Sequence, residues 1–507
     1  MTMIPAIELI GIDKRFGAVH ANKDVTLAIA QGSIHGIIGE NGAGKSTLMS
    51  ILFGFYRADK GEIKIKGEPV KISSSADAIS HGIGMVHQHF MLVDTFTVLE
   101  NIVLGAEGGR LIGPALAKAR QELTRLARDY ELDVDPDAIV GELPVGLQQR
   151  VEILKALFKG AETLILDEPT GVLTPDEANH LFRILGQLRD QGKTVILITH
   201  KLREIMAITD RVSVMRQGAL VATKETKSTS VEELAELMVG RRVLLRVKKG
   251  KAKPGNVVLD VKNLTWKDRK GTPRVDNVSF TVRAGEIVGI AGVSGNGQSE
   301  LLELISGISK PASGQIVFEG KDIGILGDPR HVREEGLAHV PEDRQHRGLI
   351  ASFDASESSI LGWHFDQALG KGFRLNRDAV INRCKAEMQE FDVRPDDPLL
   401  TSSKFSGGNQ QKLILARELD SKPDLLIVGQ PTRGVDIGAI EFIHRRLIEL
   451  RDQGKAVLLV SVELDEIRSL SDRILVMFAG RIMGERDANA DERELGLLMA
   501  GVSRDAA

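Results

Sequence analysis

Gly39-Glu40-Asn41-Gly42-Ala43-Gly44-Lys45-Ser46-Thr47 is the stretch from which the chain is best read. It follows an apolar run, Ile34 to Ile38, and precedes an apolar-periodic run beginning at Leu48. The order is therefore strand, glycine-rich turn, helix. The spacing is G-x-x-x-x-G-K-[ST], that of a loop which cradles phosphates. Its glycines let the backbone wrap tightly, so that successive N–H groups point inward. The following helix adds its positive N-terminal end. Lys45 is a point charge for β and γ phosphates, and the Ser46 hydroxyl is a ligand for Mg²⁺. Taken alone, the stretch could also be a glycine-rich helix start with an ordinary exposed lysine. What precedes and follows it favours the nucleotide loop.

The bulk numbers bound the rest. With 507 residues the chain is too long for one core and implies two to four domains. It is 42% hydrophobic and 27% charged, as expected of a soluble globular protein. A net charge of −4 gives no bulk attraction toward nucleic acid, and 4% aromatics argue against base-stacking platforms. Cys384 is the sole cysteine, which excludes an internal disulfide or a cysteine metal cluster and suits a reducing cytoplasm. The first residues lack a basic region and a sustained apolar core, so no signal peptide is expected there. No run approaches the roughly 18 apolar residues of a membrane span. Membrane association is expected only through a partner.

The chain repeats itself. Ile29 to Gly39 is echoed by Val282 to Gly292, Leu48 to Gly54 by Leu301 to Gly307, and Gly61 to Gly67 by Gly314 to Gly320. Val145 to Gln149 corresponds to Gly407 to Gln411, and Asp210 to Met215 corresponds to Asp472 to Met477. Corresponding points lie about 253 to 263 residues apart, too far for a solenoid. Two tandem homologous domains are expected, residues 5–240 and 257–501. Between them lies 241–256, rich in Lys and Arg with Pro254 and Gly255, which reads as a solvated linker. Each half opens with short strands, then the loop and its helix, then a polar-helical middle (Ala115 to Leu132; Arg377 to Phe391). Leu164 to Leu166 and Val195 to Ile198 are continuous apolar runs flanked by helical patterns, hence central parallel strands of an α/β sheet.

In the first half, Leu164-Ile165-Leu166 ends in Asp167-Glu168. Ligands of α/β sheets bind at strand C-termini. There, Asp167 would hold Mg²⁺ through water, and Glu168 would orient or deprotonate the attacking water. The structural alternative is a helix N-cap before Pro169-Thr170. Gln88 follows the apolar stretch Ile83 to Val86, and His200 ends the next buried run. Each carries little signal alone; the order loop, Gln, signature, carboxylate pair, His gives them weight.

In this order the sequence resembles a duplicated ATP-binding subunit of an ABC transporter, over nearly the whole chain. The strongest mark is Phe405-Ser406-Gly407-Gly408-Asn409-Gln410-Gln411, close to the LSGGQ signature. A serine hydroxyl and glycine N–H groups at a helix start make an anion site. The resemblance implies two tandem α/β P-loop ATPase domains, each with a mixed, largely parallel sheet core, an N-terminal antiparallel β part and a helical subdomain. It implies ATP and Mg²⁺. Glu168, His200 and Gln88 take catalytic roles, and Ser46, Gln88 and Asp167 hold the metal. The loop residues Gly39, Glu40, Asn41, Gly42, Ala43, Gly44, Lys45, Ser46 and Thr47 bind nucleotide, together with Ser406, Gly407 and Gly408. Phe16 lies where the family stacks an aromatic on adenine; a core Phe of an early strand is the other reading.

The second half departs from the pattern. Gly292 to Ser299 keeps its glycines and serine but has Gln298 for the lysine; Gly429-Gln430 replaces the carboxylate pair; Glu342 stands for the glutamine and Val462 for the histidine. In the first half, Leu143-Pro144-Val145-Gly146-Leu147 lacks the signature serine and a close-approach glycine. ABC domains pair head to tail, each ATP lying between one domain's loop and the other's signature. The intact parts then all fall in one composite site and the altered parts in the other, implying one hydrolytic and one non-hydrolytic site.

Pro341-Glu342-Asp343-Arg344 and Gln430 to Asp436 resemble importers of simple sugars or nucleosides. Gly429-Gln430 and the Pro-Val-Gly signature are closer to the nucleoside branch. That resemblance implies two integral membrane permease subunits, an extracytoplasmic substrate-binding lipoprotein, a peripheral location on the cytoplasmic face of the cell membrane, and no nucleic-acid partner. Import of pentoses or hexoses is the alternative. A duplicated ABC translation factor is a third reading, disfavoured by the short linker and the altered site.

Overall fold

Alternate residues of a strand point to opposite faces, and in Leu425–Gly429 both sets are apolar. Leu425 and Ile427 join a core with Leu259, Val261 and Phe318, whereas Leu426 and Val428 join one with Ile443, Leu447 and Ile467. A strand covered on both faces belongs to a layered α/β domain. The computed structural model describes residues 4–17, 19–87, 91–105, 112–170, 173, 175–242, 247, 249–293, 295–325, 327–371 and 374–502. The chain divides into two units, Met1–Val243 and Leu244–Ala507.

In the first unit, strands Ile83–Val86, Thr163–Asp167, Thr194–Ile198, Ile34–Ile38 and Arg211–Arg216 lie side by side in parallel, with Ala219–Glu225 antiparallel at the edge. A separate antiparallel sheet runs in the order Val19–Ala30, Pro5–Phe16, Lys60–Ile65, Glu68–Val70. Ile7, Leu9, Val25 and Leu27 of that sheet share a core with Ile37, Ile165 and Ile196 of the parallel one. The second unit repeats both sheets. Its parallel order is Leu337–Val340, Leu425–Gly429, Ala456–Ser461, Ile287–Ala291, Arg473–Phe478, followed by antiparallel Arg481–Asp487. The polar middles are helical: Ile112–Asp129 and Val145–Phe158 in one unit, Arg377–Glu390 and Gly407–Asp420 in the other.

Strand order positions the site. The loop strand Ile34–Ile38 is one strand away from Thr163–Asp167, with Thr194–Ile198 between them. All three run in the same direction, so the loop, the carboxylate pair and His200 emerge at one edge of the sheet. Part of the basic stretch expected as a solvated linker is anchored on the second unit. Lys249 Nζ donates to the carbonyls of Leu470 (3.0 Å) and Ser471 and lies 3.2 Å from the Asp472 carboxylate, and Val247 packs against that unit's core. The lysine is there because helix-end carbonyls and an aspartate take its charge.

Candidate functional site

The loop's glycines are there for two different reasons. A Cβ on Gly44 would meet the Ala21 carbonyl oxygen at 2.2 Å, and one on Gly39 would meet that of Met215 at 2.3 Å. Gly44 also has φ 95°, a region that side chains disfavour. These two are required by close backbone approach. Gly42 has φ 78° with open space around it, so it leaves the concave side clear. Asn22, buried, donates from Nδ2 to the Gly44 carbonyl at 3.0 Å and holds the turn. The helix Lys45–Leu52 starts at this glycine with no side-chain cap, which leaves its first N–H groups for an anion.

Lys45 is buried and folds back, donating from Nζ to the carbonyls of Gly39 (2.7 Å) and Glu40 (3.0 Å). Burial lowers its pKa, opposed by the carboxylates of Glu168, Asp167 and Glu40. Asp167 is raised above the ordinary aspartate range, first by burial and then by Glu168, while a hydrogen bond from Ser46 pulls it down. Glu168 moves the other way: His200 Nδ1 lies 2.9 Å from its Oε1, and that hydrogen bond lowers its pKa against the effect of burial. Two adjacent carboxyls are thus driven in opposite directions, the pattern of groups with separate roles. Glu168 holds a left-handed backbone, φ 47°, with its N–H bonded to the Ile198 carbonyl at 2.8 Å. That turn swings its side chain toward the end of the neighbouring strand, where His200 is.

Ser46 and Asp167 form a hard-oxygen pair with a carboxylate disfavoured by its surroundings. This donor chemistry fits Mg²⁺, which takes one or two protein oxygens and completes its shell with water and phosphate. Among the described residues no group of three or more His, Cys, Asp or Glu side chains is placed to hold a metal. Gln88 lies outside the described residues.

Phe16 is no core residue: it is 42% exposed at the end of its strand. Tyr56, 45% exposed, meets it edge to face at 5.1 Å, and Lys14 Nζ lies 5.3 Å from its ring centre. Tyr56 was not anticipated from sequence; its only signal was an aromatic in a turn after the loop helix. Also unanticipated is Glu204, buried behind the carboxylate turn. It accepts from the hydroxyls of Thr170 and Thr199 (3.0 Å for the latter), tying the segment after Glu168 to the one before His200.

The second unit keeps the same scaffold with other groups. A Cβ on Gly297 (φ 101°) would meet the Arg274 carbonyl oxygen at 2.0 Å, as Gly44 does with Ala21. Gln298 is buried at the lysine position, and its Nε2 has no hydrogen-bond partner. Gln430 repeats the Glu168 turn, φ 49°, and its Oε1 accepts from the Val462 N–H at 3.3 Å. Ser299 donates to Glu342, whose pKa is raised by burial.

The signature positions differ similarly. Ser406 caps Gly407–Asp420, accepting from Asn409 N (3.4 Å) and Asn409 Nδ2 (2.9 Å). A Cβ on Gly407 would meet Arg344 Nη2 at 2.6 Å, and one on Gly408 would meet Asp436 Oδ2 at 2.6 Å. Pro144 occupies the corresponding cap of Val145–Phe158 in nearly the same backbone conformation, without a side-chain bond.

The comparisons agree with this architecture. The family profile described as ABC transporter matches residues 22–171 and 275–433. The chain belongs to the ABC transporter family, as a duplicated ATP-binding subunit. It is 49% identical over 98% of its length to the nucleoside import ATP-binding protein NupA of Lactococcus lactis, covering 98% of that protein. It is also 49% identical over 98% of its length to the guanosine import ATP-binding protein NupO of Bacillus subtilis, covering 97% of it. A ribose import ATP-binding protein of Caldanaerobacter subterraneus is 37% identical over 98% of the chain and 99% of its own length. The crystal structure of an archaeal ribosome recycling factor in complex with a ribosomal stalk protein aligns with a TM-score of 0.60 at 19% identity, covering 94% of this chain and 90% of that one. At that identity it bears on the fold alone.

Proposed function

We propose that this chain hydrolyses ATP at the first unit's loop to drive import of nucleosides through a membrane permease. The observation that carries the reading is the meeting, at one sheet edge, of a buried Lys45, the Ser46–Asp167 bond and the Glu168–His200 pair. Loop N–H groups and Lys45 bind the β and γ phosphates. Ser46, Asp167 and Gln88 would hold Mg²⁺, which neutralises phosphate charge when bound. Glu168 holds the attacking water, and its lowered pKa suits it to orienting the water more than to taking a proton at neutral pH. His200 fixes the Glu168 carboxylate. Phe16 with Tyr56 offers an aromatic face to adenine. Ser406, Gly407 and Gly408 offer an anion-binding helix start, capped by the Ser406 hydroxyl.

No helix among the described residues is long and apolar enough to cross a membrane, so transport requires the two permease subunits, with the chain peripheral on their cytoplasmic side and an extracytoplasmic lipoprotein delivering cargo. Nucleosides are preferred over sugars because the relatives named for nucleoside and guanosine import are 49% identical, against 43% for a relative named for glucose import and 37% for the ribose importer. The test is uptake into proteoliposomes carrying this chain, its permeases and its lipoprotein. ATP-dependent uptake of labelled guanosine or adenosine is expected. Uptake of ribose or glucose without any nucleoside uptake would overturn the cargo.

A further inference from the structure

The helix start at Ser406 is seated closely on a neighbouring loop of its own unit. A Cβ on Gly407 would meet the Gly434 carbonyl oxygen at 2.8 Å and Arg344 Nη2 at 2.6 Å, and one on Gly408 would meet Asp436 Oδ2 at 2.6 Å. Residues 430–436 lead from strand Leu425–Gly429 to helix Ile437–Asp452, which Asp436 caps. Ser406, Gly407 and Gly408 therefore take their position from residues 433–436.

Arg344 fixes that loop from the side. It opens the five-residue helical turn Arg344–Gly348, in which the Asp343 carboxylate accepts from the N–H groups of Gln345 and His346, both at 3.0 Å. From there its guanidinium donates through Nη1 to the Arg433 carbonyl and through Nη2 to the Gly434 carbonyl, the latter at 3.2 Å. The far end of the turn is tied to the signature helix itself. Arg417, buried in Gly407–Asp420, donates from Nη1 to the Gly348 carbonyl at 2.8 Å, and a Cβ on Gly348 would meet Ile414 Cδ1 at 2.5 Å. One short turn thus joins the loop to the helix that rests on it. Stability alone does not account for this arrangement. Arg344 Nε is buried without a hydrogen-bond partner, which is unfavourable. Burial, and then the neighbouring Arg433 guanidinium, hold the Arg344 pKa below the ordinary arginine range. Local violations of this kind are expected at functional positions.

Resting on the anion-site reading of the Ser406 helix start, we propose that Arg344 is a positioning residue for ATP hydrolysis: its two-pronged hold on the carbonyls of Arg433 and Gly434 sets where the Ser406 hydroxyl and the Gly407 and Gly408 N–H groups meet phosphate. The test is steady-state phosphate release over a range of ATP concentrations, on the full chain assembled with its permeases. Arg344→Ala is expected to lower kcat about 10-fold with KM for ATP within about 2-fold, because alignment at the reacting phosphate is lost and ground-state binding is not. Arg344→Lys keeps the charge but cannot reach both carbonyls, and is expected to stay within about 3-fold of Arg344→Ala. Ser406→Ala is expected to lower kcat by a similar factor, and the double variant to lose little more than either alone, since both changes act on one group. Unaltered kcat in Arg344→Ala, a rise in KM alone, full recovery with lysine, or losses that multiply in the double variant would overturn the proposal and leave the anion site standing. If Ser406→Ala left turnover unchanged, the anion site itself would fall, and this inference with it.

Discussion

Glu168 and Gln430 stand at the same turn with φ 47° and 49°, their N–H groups bonded to the next strand at 2.8 Å (Ile198 O) and 2.7 Å (Val460 O). One side chain ends in a carboxylate bonded to an imidazole, the other in an amide bonded to a backbone N–H. The same holds at the loop, where Gly44 and Gly297 make equivalent close approaches although one loop carries Lys45 and the other Gln298. Backbone geometry is fixed by packing that many residues share, so it survives; catalytic chemistry depends on single charged atoms, and one substitution removes it. A conserved-looking phosphate loop is thus a statement about shape, and its charge must be read separately.

That contrast can be strained experimentally. The largest effect is expected from Lys45→Ala, which should lower ATP turnover about 10²–10³-fold or more. Adding Gln298→Lys to that variant should restore nothing, because Gln430 still offers no carboxylate; phosphate-release assays read both. His200→Ala should lower turnover about 10²-fold by freeing Glu168 from its position. It should also move the pH profile. The hydrogen bond holds the Glu168 pKa below its ordinary range, and the ionised form is the working one. The contribution of Glu168 to activity in the unaltered chain is therefore lost only as pH falls through that lowered value. Without His200 the pKa rises, and the acidic limb moves to higher pH. In the second unit, Gly429→Asp should destabilise by about 1–3 kcal/mol through collision with Glu342. Glu342→Ala should relieve much of that in the double variant, a coupling measurable by urea unfolding. The smallest effect belongs to the cap: Pro144→Ser should give the Leu147 N–H a side-chain acceptor and stabilise the first unit by about 0.5 kcal/mol net of the lost proline rigidity.

Much of this was legible because it is contiguous. The loop, the Asp167-Glu168 step and the Ser406-Gly407-Gly408 turn each depend on spacing within a few residues, and the duplication displays one copy against the other. What sequence could not show depends on strands brought together by folding. Glu342 and Gly429 read as two separate substitutions until adjacent strands brought them together, where a Cβ on Gly429 would meet Glu342 Cγ at 2.4 Å. Tyr56 reaches Phe16 from a different element, and Glu204 bridges two loop ends from a helix. The basic stretch near Lys249 read as solvated because charge in sequence carries no record of the carbonyls and carboxylate that receive it.

The central claim is that hydrolysis belongs to the first unit's carboxylate alone. Steady-state phosphate release by the Glu168→Gln chain, assembled with its permeases, tests it most directly. The account predicts a fall of about 10²–10⁴-fold, to background, although every carboxylate and hydroxyl of the second unit is untouched. Turnover near that of the unaltered protein would contradict it.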